Sequence, residues 1–342
     1  MRLVILLSVC LFSVALSALI AFPITALMKK IKARQPILEY VELHKKKSGT
    51  PTMGGLIFII PTVVTTVVFG RKDWTMGIAV VLITFAYALV GGLDDFLKIK
   101  LKKNEGLKAW QKLLAQLVIA VLSAVYCYKN PLIGGALTVP FTSISLDLKL
   151  FAPFLYVFIY LATTNAVNLT DGLDGLATGT GLYSFLTFAI ILVLYITDAE
   201  FKGDMVLAEE YNSIAVFISA LIGGLLVFFF VNTNPANIFM GDTGSLALGG
   251  ALASVAIFSK NALLLLLVGI MYIVSCITVI MQVIYFKISG GKRIFLMAPL
   301  HHHLQMKGFS EGKIVSLYSA ITFVMGIVCI ISVVVGIYGI KG

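Results

Sequence analysis

The sequence has 342 residues, of which 59% are apolar and only 12% are charged, and its mean hydropathy is +1.02. A chain this apolar cannot bury its hydrophobic surface in one aqueous core, so a soluble protein is excluded, as are disorder, collagen repeats and coiled coils. The apolar residues form continuous runs, which also excludes a membrane β-barrel. The formal net charge of +10 leaves nucleic acid, an anionic membrane surface and a polyanionic substrate open as partners.

Ten apolar runs are candidate membrane spans, because a spanning helix needs about 20 apolar residues. In chain order they cover residues 3–28, 53–70, 74–93, 113–128, 151–167, 176–197, 213–231, 246–259, 262–286 and 314–340. The run at 246–259 is short for a span. We therefore predict an all-α, polytopic integral membrane protein with about ten transmembrane helices, organised as one domain over residues 1–342.

Lysine and arginine are distributed unevenly between the two sets of connecting segments. With ten spans the segments alternate sides, and about two thirds of the 26 Lys and Arg residues follow spans one, three, five, seven and nine. By the positive-inside rule these segments face the cytoplasm and both termini lie on the outer face. The alternative, a cleaved signal peptide over residues 1–28, would carry its positive charge before the apolar run, whereas Lys29 and Lys30 follow it.

The same alternate segments hold nearly every side chain that is capable of chemistry. Their sequences are KKKSGTPTMGG at 45–55, GLDD at 92–95, NLTDGLDGLA at 168–177, NTNPANIFMGDTGS at 232–245 and PLHHHL at 299–304. A random scatter of polar residues would not fill alternate segments alone. The pattern therefore predicts one shared cytoplasmic site, assembled from five parts of the chain.

Two adjacent carboxylates, Asp94 and Asp95, end the third apolar run, at a depth where an uncompensated charge is costly. A hard divalent cation with oxygen ligands is the usual compensation, and a solvated helix end with lysine counterions is the alternative. The pair matches a DDxxD motif only in part, because Lys98 stands where a third aspartate would be.

A second pair, Asp171 and Asp174, is spaced by three residues. If the next helix begins here, both carboxylates lie on one helix face, with Asn168 and Thr170 as caps. The alternative is that Asp171 is simply an N-cap. Either arrangement places negative charge where the helix dipole favours anions.

Asp242 is predicted in a short turn with glycines on either side, just before the run at 246–259. Such a turn lets the backbone approach a ligand closely and exposes amides to phosphate oxygens. Phe239 beside it either packs at the membrane interface or offers a face on which a nucleobase stacks. The turn is a weak signal by itself, because Gly-Asp turns are common.

Three consecutive histidines, His301, His302 and His303, lie between two leucines. Zinc is disfavoured, because consecutive side chains diverge and no cysteine or HxxxH spacing is near. A cationic or hydrogen-bonding patch for phosphate suits them better. Lys47 and Lys112 stand out among the basic residues, and nucleic-acid binding is disfavoured because the basic segments lack interleaved aromatic residues.

Five motifs taken together resemble one family, the phospho-N-acetylmuramoyl-pentapeptide transferases. The motifs are GTPTMGG at 49–55, GLDD at 92–95, NAVNLTDGLDGLA at 165–177, NxxPAxIFMGDTGSLALGG at 232–250 and APLHHHL at 298–304. The acidic motifs alone indicate the wider polyprenyl-phosphate sugar-1-phosphate transferases. The resemblance implies a Mg²⁺-dependent transfer from UDP-N-acetylmuramoyl-pentapeptide to undecaprenyl phosphate, giving lipid I and UMP, by a homodimer in the bacterial inner membrane.

The resemblance also implies roles for individual residues. It makes Asp242 the Mg²⁺ ligand and places Asp94, Asp95 and His301 with it in the catalytic set; whether Asp94 acts as a base stays open. The implied substrate-binding residues are Lys47, Thr52, Lys112, Asn168, Asp171, Gly172, Leu173, Asp174, Asn232, Phe239, His302 and His303. Within this group Gly172, Leu173, Asp174 and Phe239 would form the uridine pocket, and His301 and His302 would meet the diphosphate.

Two other functions fit parts of the pattern. A sibling enzyme that transfers N-acetylglucosamine-1-phosphate to the same lipid would share the acidic motifs. A cation-coupled transporter would also carry intramembrane carboxylates, but we would expect them near the middle of its spans, whereas these gather at the cytoplasmic ends.

Overall fold

The structure, a computed structural model, describes residues 2–31, 49–71, 74–101 and 106–339. The helices in these ranges are α1 (Arg2–Lys30), α2 (Leu56–Phe69), α3 (Met76–Leu101), α4 (Ala109–Lys129), α5 (Ala152–Thr170), α6 (Leu176–Phe201), α7 (Met205–Asn232), α8 (Gly241–Phe258), α9 (Leu265–Val268), α10 (Ile270–Ile288), α11 (Leu300–Met306) and α12 (Glu311–Tyr338). Two strands, β1 (Ala136–Thr138) and β2 (Ser145–Asp147), form an antiparallel hairpin between α4 and α5.

Nine helices within the described ranges are long and apolar enough to cross a membrane, namely α1, α3 to α8, α10 and α12. The prediction of an all-α polytopic membrane protein is confirmed. The shortest span was assigned wrongly: the run at 246–259 extends back to Gly241 as an 18-residue helix, whereas the run at 53–70 forms α2, which has 14 residues.

The sequence indicated one continuous helix over residues 262–286, but the structure has a broken one. It begins with a 3-10 segment at Ala262–Leu264, continues as the short α9, and starts again as α10 after Gly269. A side chain at Gly269 would lie 2.6 Å from the Leu265 carbonyl oxygen, so the break needs a glycine. The buried residues of α10 lie in its first half, so its second half projects from the bundle.

The centre of the bundle is formed by α7 and α8. Helix α8 packs against α3 and α5, and α7 packs against α1, α2 and α6. Small residues in α8 permit close approach, because a side chain at Gly249 would meet the backbone of Thr164 and one at Gly250 would overlap the Tyr87 ring. The middle of α8 therefore packs closely against α5 and against α3, which carries Asp94 and Asp95.

Ion pairs fix the end of the bundle where α1 begins. The Arg2 guanidinium lies 2.8 Å from Glu200 at the end of α6 and 2.8 Å from Glu209 at the start of α7. The Phe141 N–H of the hairpin donates to Ser332 Oγ near the end of α12. The end of α5 and the start of α6, which carry the polar motif at 168–177, lie at the opposite end of the bundle. The first residue of α1 and the last turns of α12 therefore lie at the end away from the polar motifs.

Candidate active site

Two of the five motifs are joined through their backbones. The Phe239 N–H donates to the Pro51 carbonyl, and the Gly54 N–H donates to the Phe239 carbonyl, both at 2.8 Å. The Gly55 N–H donates to the Met240 carbonyl at 3.0 Å. The segment before α2 therefore lies beside the segment that leads into α8, although nearly 190 residues separate them in the sequence.

Asp95 caps the start of α8. Its carboxylate accepts hydrogen bonds from the backbone N–H groups of Asp242 and Thr243, at 3.2 and 2.9 Å, and from Thr243 Oγ1 at 2.7 Å. Helix α8 starts at Gly241 (φ +72°), so Asp242 lies in its first turn and not in a turn before it. The prediction that these amides are exposed to phosphate was wrong, because the buried Asp95 carboxylate occupies them.

Asp94 lies inside α3 and not at its end, because the helix continues through polar residues to Leu101. Its Oδ1 accepts the Leu107 N–H at 2.8 Å, and its Oδ2 pairs with Lys98 Nζ at 2.6 Å, one helical turn further on. The carboxylate is almost fully buried. Its charge is therefore compensated by one amide and one ammonium.

Asp242 is the meeting point of four elements. Its Oδ2 lies 2.8 Å from Lys98 Nζ of α3 and 2.8 Å from Lys112 Nζ of α4, and its Oδ1 accepts Asn168 Nδ2 of α5 at 2.6 Å. Two of these partners, Lys112 and Asn168, were predicted at the site, whereas Lys98 was noted only as a counterion at a helix end.

Within the described part of the chain, Asp94, Asp95 and Asp242 form a group that could hold a metal ion. Each offers a carboxylate oxygen, and these oxygens all lie within 4.8 Å of one another. Hard oxygen donors of this kind suit a hard divalent cation better than a soft metal.

The second acidic pair lies in the turn between α5 and α6 and not on one helix face. Asn168 and Thr170 belong to the last turn of α5, and α6 starts after Gly175, which has φ +79°. The Asp171 N–H bonds to carbonyl oxygens of α5, so Asp171 ends that helix and does not cap the next one. The predicted shared face, and the predicted caps, were wrong.

The turn that carries Asp174 is tied to the segment after α7. Asp174 Oδ2 accepts Asn234 Nδ2 at 3.1 Å. Asn232 is 2% exposed; its Oδ1 accepts the Gly175 N–H, and its Nδ2 donates to the Ile238 carbonyl, each at 3.0 Å. These bonds hold Asn232 within the framework of the site. Its predicted contact with substrate remains a prediction.

The histidines lie on α11 and point to different neighbours. His301 is fully buried with its ring against Gly172, where an added side chain would overlap His301 Nε2. The His301 and His302 ring centroids are 4.4 Å apart, while His303 Nδ1 accepts the Leu296 N–H at 3.1 Å. His301 and His302 therefore join the Asp171–Asp174 turn, and His303 faces the loop before α11.

Four predicted residues remain. Lys47 lies outside the described residues, and Thr52, Leu173 and Phe239 belong to the segments already described. Thr52 is 3% exposed and approaches Gly241, Leu173 is buried, and Phe239 is half-buried. The interpretation of Phe239, as interfacial packing or as a stacking face, therefore stays open.

Sequence reasoning did not single out three polar residues near the Asp174 turn, namely Asn234, Gln305 and Glu311. Asn234 Nδ2 donates to Glu311 Oε2 at 3.1 Å as well as to Asp174, and Gln305 Nε2 donates to Glu311 Oε1 at 3.3 Å. Glu311 follows the histidine motif by several residues, at the start of α12. Only its position in a charged segment at a helix start could have drawn attention to it.

Asp171 lies outside the spans, in the turn after α5, and the pKa of its carboxyl is shifted. Removal from water raises the pKa of this carboxyl well above its usual range, and the negative charges of Asp242, Asp95 and Asp174 raise that pKa further. The charged form of Asp171 therefore costs folding free energy in the metal-free protein.

We expect Asp171→Asn to stabilise the metal-free protein at pH 8. The raised pKa means that the folded state binds the proton more tightly than the unfolded state, so the cost is absent below about pH 4 and grows as the pH rises through the folded pKa. Thermal unfolding in detergent with a chelator should show a higher Tm for the variant at pH 8 and a vanishing difference towards pH 4. Asp198→Asn, which removes an outer pair with Lys202, should not raise the Tm. A lower Tm for Asp171→Asn at pH 8 would contradict this account.

Comparison with known proteins agrees with this geometry. A model of glycosyl transferase family 4 matches residues 77–260, slightly more than half of the chain, so the protein belongs to that class of transferases. A phospho-N-acetylmuramoyl-pentapeptide-transferase signature matches residues 47–59. Within the class, the chain belongs to the phospho-N-acetylmuramoyl-pentapeptide transferases, as the five motifs had indicated.

Three relatives with that name illustrate the extent of the similarity. The protein of Clostridium novyi (strain NT) is 45% identical over 310 residues, which is 90% of each chain. That of Desulfitobacterium hafniense is 43% identical over 296 residues, 86% of this chain and 87% of the relative. That of Bacillus cytotoxicus is 42% identical over 321 residues, 93% of each. The chain is thus a transferase and a multi-pass bacterial membrane protein.

Proposed function

We propose that this enzyme transfers phospho-N-acetylmuramoyl-pentapeptide from its UDP conjugate to undecaprenyl phosphate, releasing UMP and forming lipid I for peptidoglycan synthesis. One observation supports the proposal most strongly: Lys98 and Lys112 meet the buried carboxylates of Asp94 and Asp242 where α3, α4 and α8 come together. A bilayer-held lipid phosphate and a water-soluble nucleotide can both reach such a place. The name shared by the relatives supports the identity of the transferred group.

We place the site on the cytoplasmic face of the inner membrane. The excess of Lys and Arg in the segments that carry the motifs supports this side. The Arg2 ion pairs at the opposite end of the bundle support an outer N-terminus. The proposal treats residues 1–342 as one catalytic unit, which the family resemblance further implies to be a homodimer.

In the proposed reaction an oxygen of the lipid phosphate attacks the β-phosphorus of the UDP conjugate, and UMP leaves. The second pKa of a phosphate monoester is about 6, so the attacking group needs no strong base at neutral pH. Both Asp95 oxygens cap α8, which favours a positioning role for Asp95. We therefore favour direct attack over a covalent aspartyl intermediate.

The remaining polar residues would bind and orient the two phosphate-bearing substrates. Asp242 would be the ligand of Mg²⁺, and Asp94 and Asp95, whose carboxylate oxygens lie within 4.8 Å of that of Asp242, would assist it. When bound, Mg²⁺ supplies charge neutralisation to the diphosphate oxygens. Lys112 and His301 would hold phosphate oxygens from α4 and α11.

The direct test is to incubate the purified protein with undecaprenyl phosphate and UDP-N-acetylmuramoyl-pentapeptide and to measure UMP. We expect UMP release that stops when EDTA removes the metal and returns with Mg²⁺. Release with UDP-N-acetylglucosamine but not with the muramoyl substrate would select the sibling transferase. Protein that moves a cation without releasing UMP from either conjugate would be a transporter.

Phe239→Ala separates the two interpretations of that ring. If the ring stacks on uracil, KM for the UDP conjugate should rise about tenfold, since stacking contributes about 1–3 kcal/mol per base, while KM for the lipid stays unchanged. The control is Phe230→Ala, which removes an exposed ring from α7 and should alter neither constant. Equal increases in both constants for Phe239→Ala would mean that the ring only packs.

A further inference from the structure

The ammonium group of Lys98 lies between two carboxylates of the metal-binding group. Lys98 Nζ is 2.6 Å from Asp94 Oδ2 and 2.8 Å from Asp242 Oδ2, and the lysine side chain is only 16% exposed. Asp94 and Lys98 are one turn apart on α3, so a rigid element presents the lysine to the group. Lys98 therefore takes the bridging position that a cation shared by Asp94 and Asp242 would take.

Asp242 has two further partners, which limit where a metal ion could bind it. Its Oδ2 also accepts Lys112 Nζ, and its Oδ1 accepts Asn168 Nδ2. A carboxylate oxygen has two lone pairs, so the two ammonium groups fill the hydrogen-bonding capacity of Oδ2. A metal ion cannot bind that oxygen beside both ammonium groups, because like charges at contact distance repel strongly in a partly buried site.

We propose that Lys98 is an internal cation that a divalent metal ion displaces on binding, and that the released ammonium is then free to bind a substrate phosphate. This inference rests on the metal site of the proposed function. Lys98 is the lysine to be displaced because it contacts two of the three carboxylates, whereas Lys112 contacts only Asp242. A lysine suits the exchange, because its charge sits on a flexible four-carbon chain.

The exchange predicts that the metal binds more tightly when the charge of Lys98 is removed. Mn²⁺ binding to the purified full-length protein, without substrate, is measured by the electron paramagnetic resonance signal of the free ion. We expect Lys98→Gln to lower Kd for Mn²⁺ at least about tenfold. Lys100→Gln, which removes an exposed lysine from the same helix, should change Kd less than about twofold. Lys98→Arg keeps the charge and should not tighten binding.

Equal or weaker Mn²⁺ binding by Lys98→Gln would show that Lys98 merely orients the carboxylates, and would overturn the proposal while leaving the metal site intact. Binding by neither wild type nor variant would overturn the metal site of the proposed function itself. A second experiment uses the wild-type protein, so it does not depend on whether the variant folds. Mn²⁺ should increase labelling of Lys98 by an amine-reactive reagent at least about threefold, with Lys100 unchanged, since a displaced ammonium is more exposed. Unchanged or reduced labelling of Lys98 would overturn the proposal.

Discussion

Asp242→Asn should lower the rate of UMP release at saturating Mg²⁺ at least about a hundredfold, an effect typical of removing one electrostatic contact from a reaction centre. The amide keeps the size of the side chain but removes the negative charge that contacts Lys98 and Lys112 and that would hold the metal. The initial rate of UMP release, with both substrates saturating, measures the effect.

The matched control is Asp147→Asn, which changes an exposed carboxylate on β2 at the far end of the bundle and should leave the rate unchanged. Asp147→Asn should unfold at a temperature near that of the wild type, whereas Asp242→Asn should unfold at a lower temperature, because Lys98 and Lys112 lose their shared counterion. The rates are therefore compared at a temperature at which both variants are folded. If Asp242→Asn folds normally and keeps Mg²⁺-dependent turnover close to that of the wild type, Asp242 is not the metal ligand.

Gly91→Ala should reduce turnover about a hundredfold, because a displacement of about 1 Å at a reaction centre has effects of that size. A side chain at Gly91 would overlap the backbone carbonyl of Asp242 and come within 2.6 Å of the Thr243 nitrogen. Helix α8 would have to move away from α3, which would displace Asp242 and weaken the Asp95 cap. Overpacking of this kind also costs about 1–3 kcal/mol of stability.

The neighbouring glycine provides the control. A side chain at Gly92 would lie 3.7 Å from Thr243 Oγ1, an ordinary van der Waals contact. Gly92→Ala should therefore keep full turnover, and it should unfold at the same or a higher temperature because alanine favours a helix. Similar activities for Gly91→Ala and Gly92→Ala would contradict the close packing of α3 against α8.

The spans were predictable because hydropathy depends only on the residues within each run. Within the described residues, each of the ten apolar runs is mainly helical, one of them with a break. Their ends were less predictable where polar residues continue a helix. Asp94, Asp95 and Lys98 stay helical because the segment before α4 and the first turn of α8 supply partners for them. The partners in α8 come from a distant part of the sequence. The break at Gly269 lies inside a continuous apolar run, so composition could not reveal it.

The membership of the site was more predictable than its internal contacts. The family resemblance assigned Asp242, Asn168 and Lys112 to one site, and in the structure the Asp242 carboxylate contacts both of the other residues. The sequence could not show that the Asp95 carboxylate accepts hydrogen bonds from the amides of α8, or that Asn234 bonds to both Asp174 and Glu311. Such pairings depend on how helices cross, and crossing geometry follows from packing across the whole bundle.

The central position of α8 has a consequence for how the protein enters the membrane. Among the nine candidate spans of the described ranges, α8 is the least apolar and the most enclosed by other helices. A segment of this kind partitions weakly into lipid from the translocon. We therefore expect α8 to require its earlier neighbours α3, α5 and α7 as a docking surface during biogenesis, so that the element carrying Asp242 is committed to the bilayer only after they have assembled.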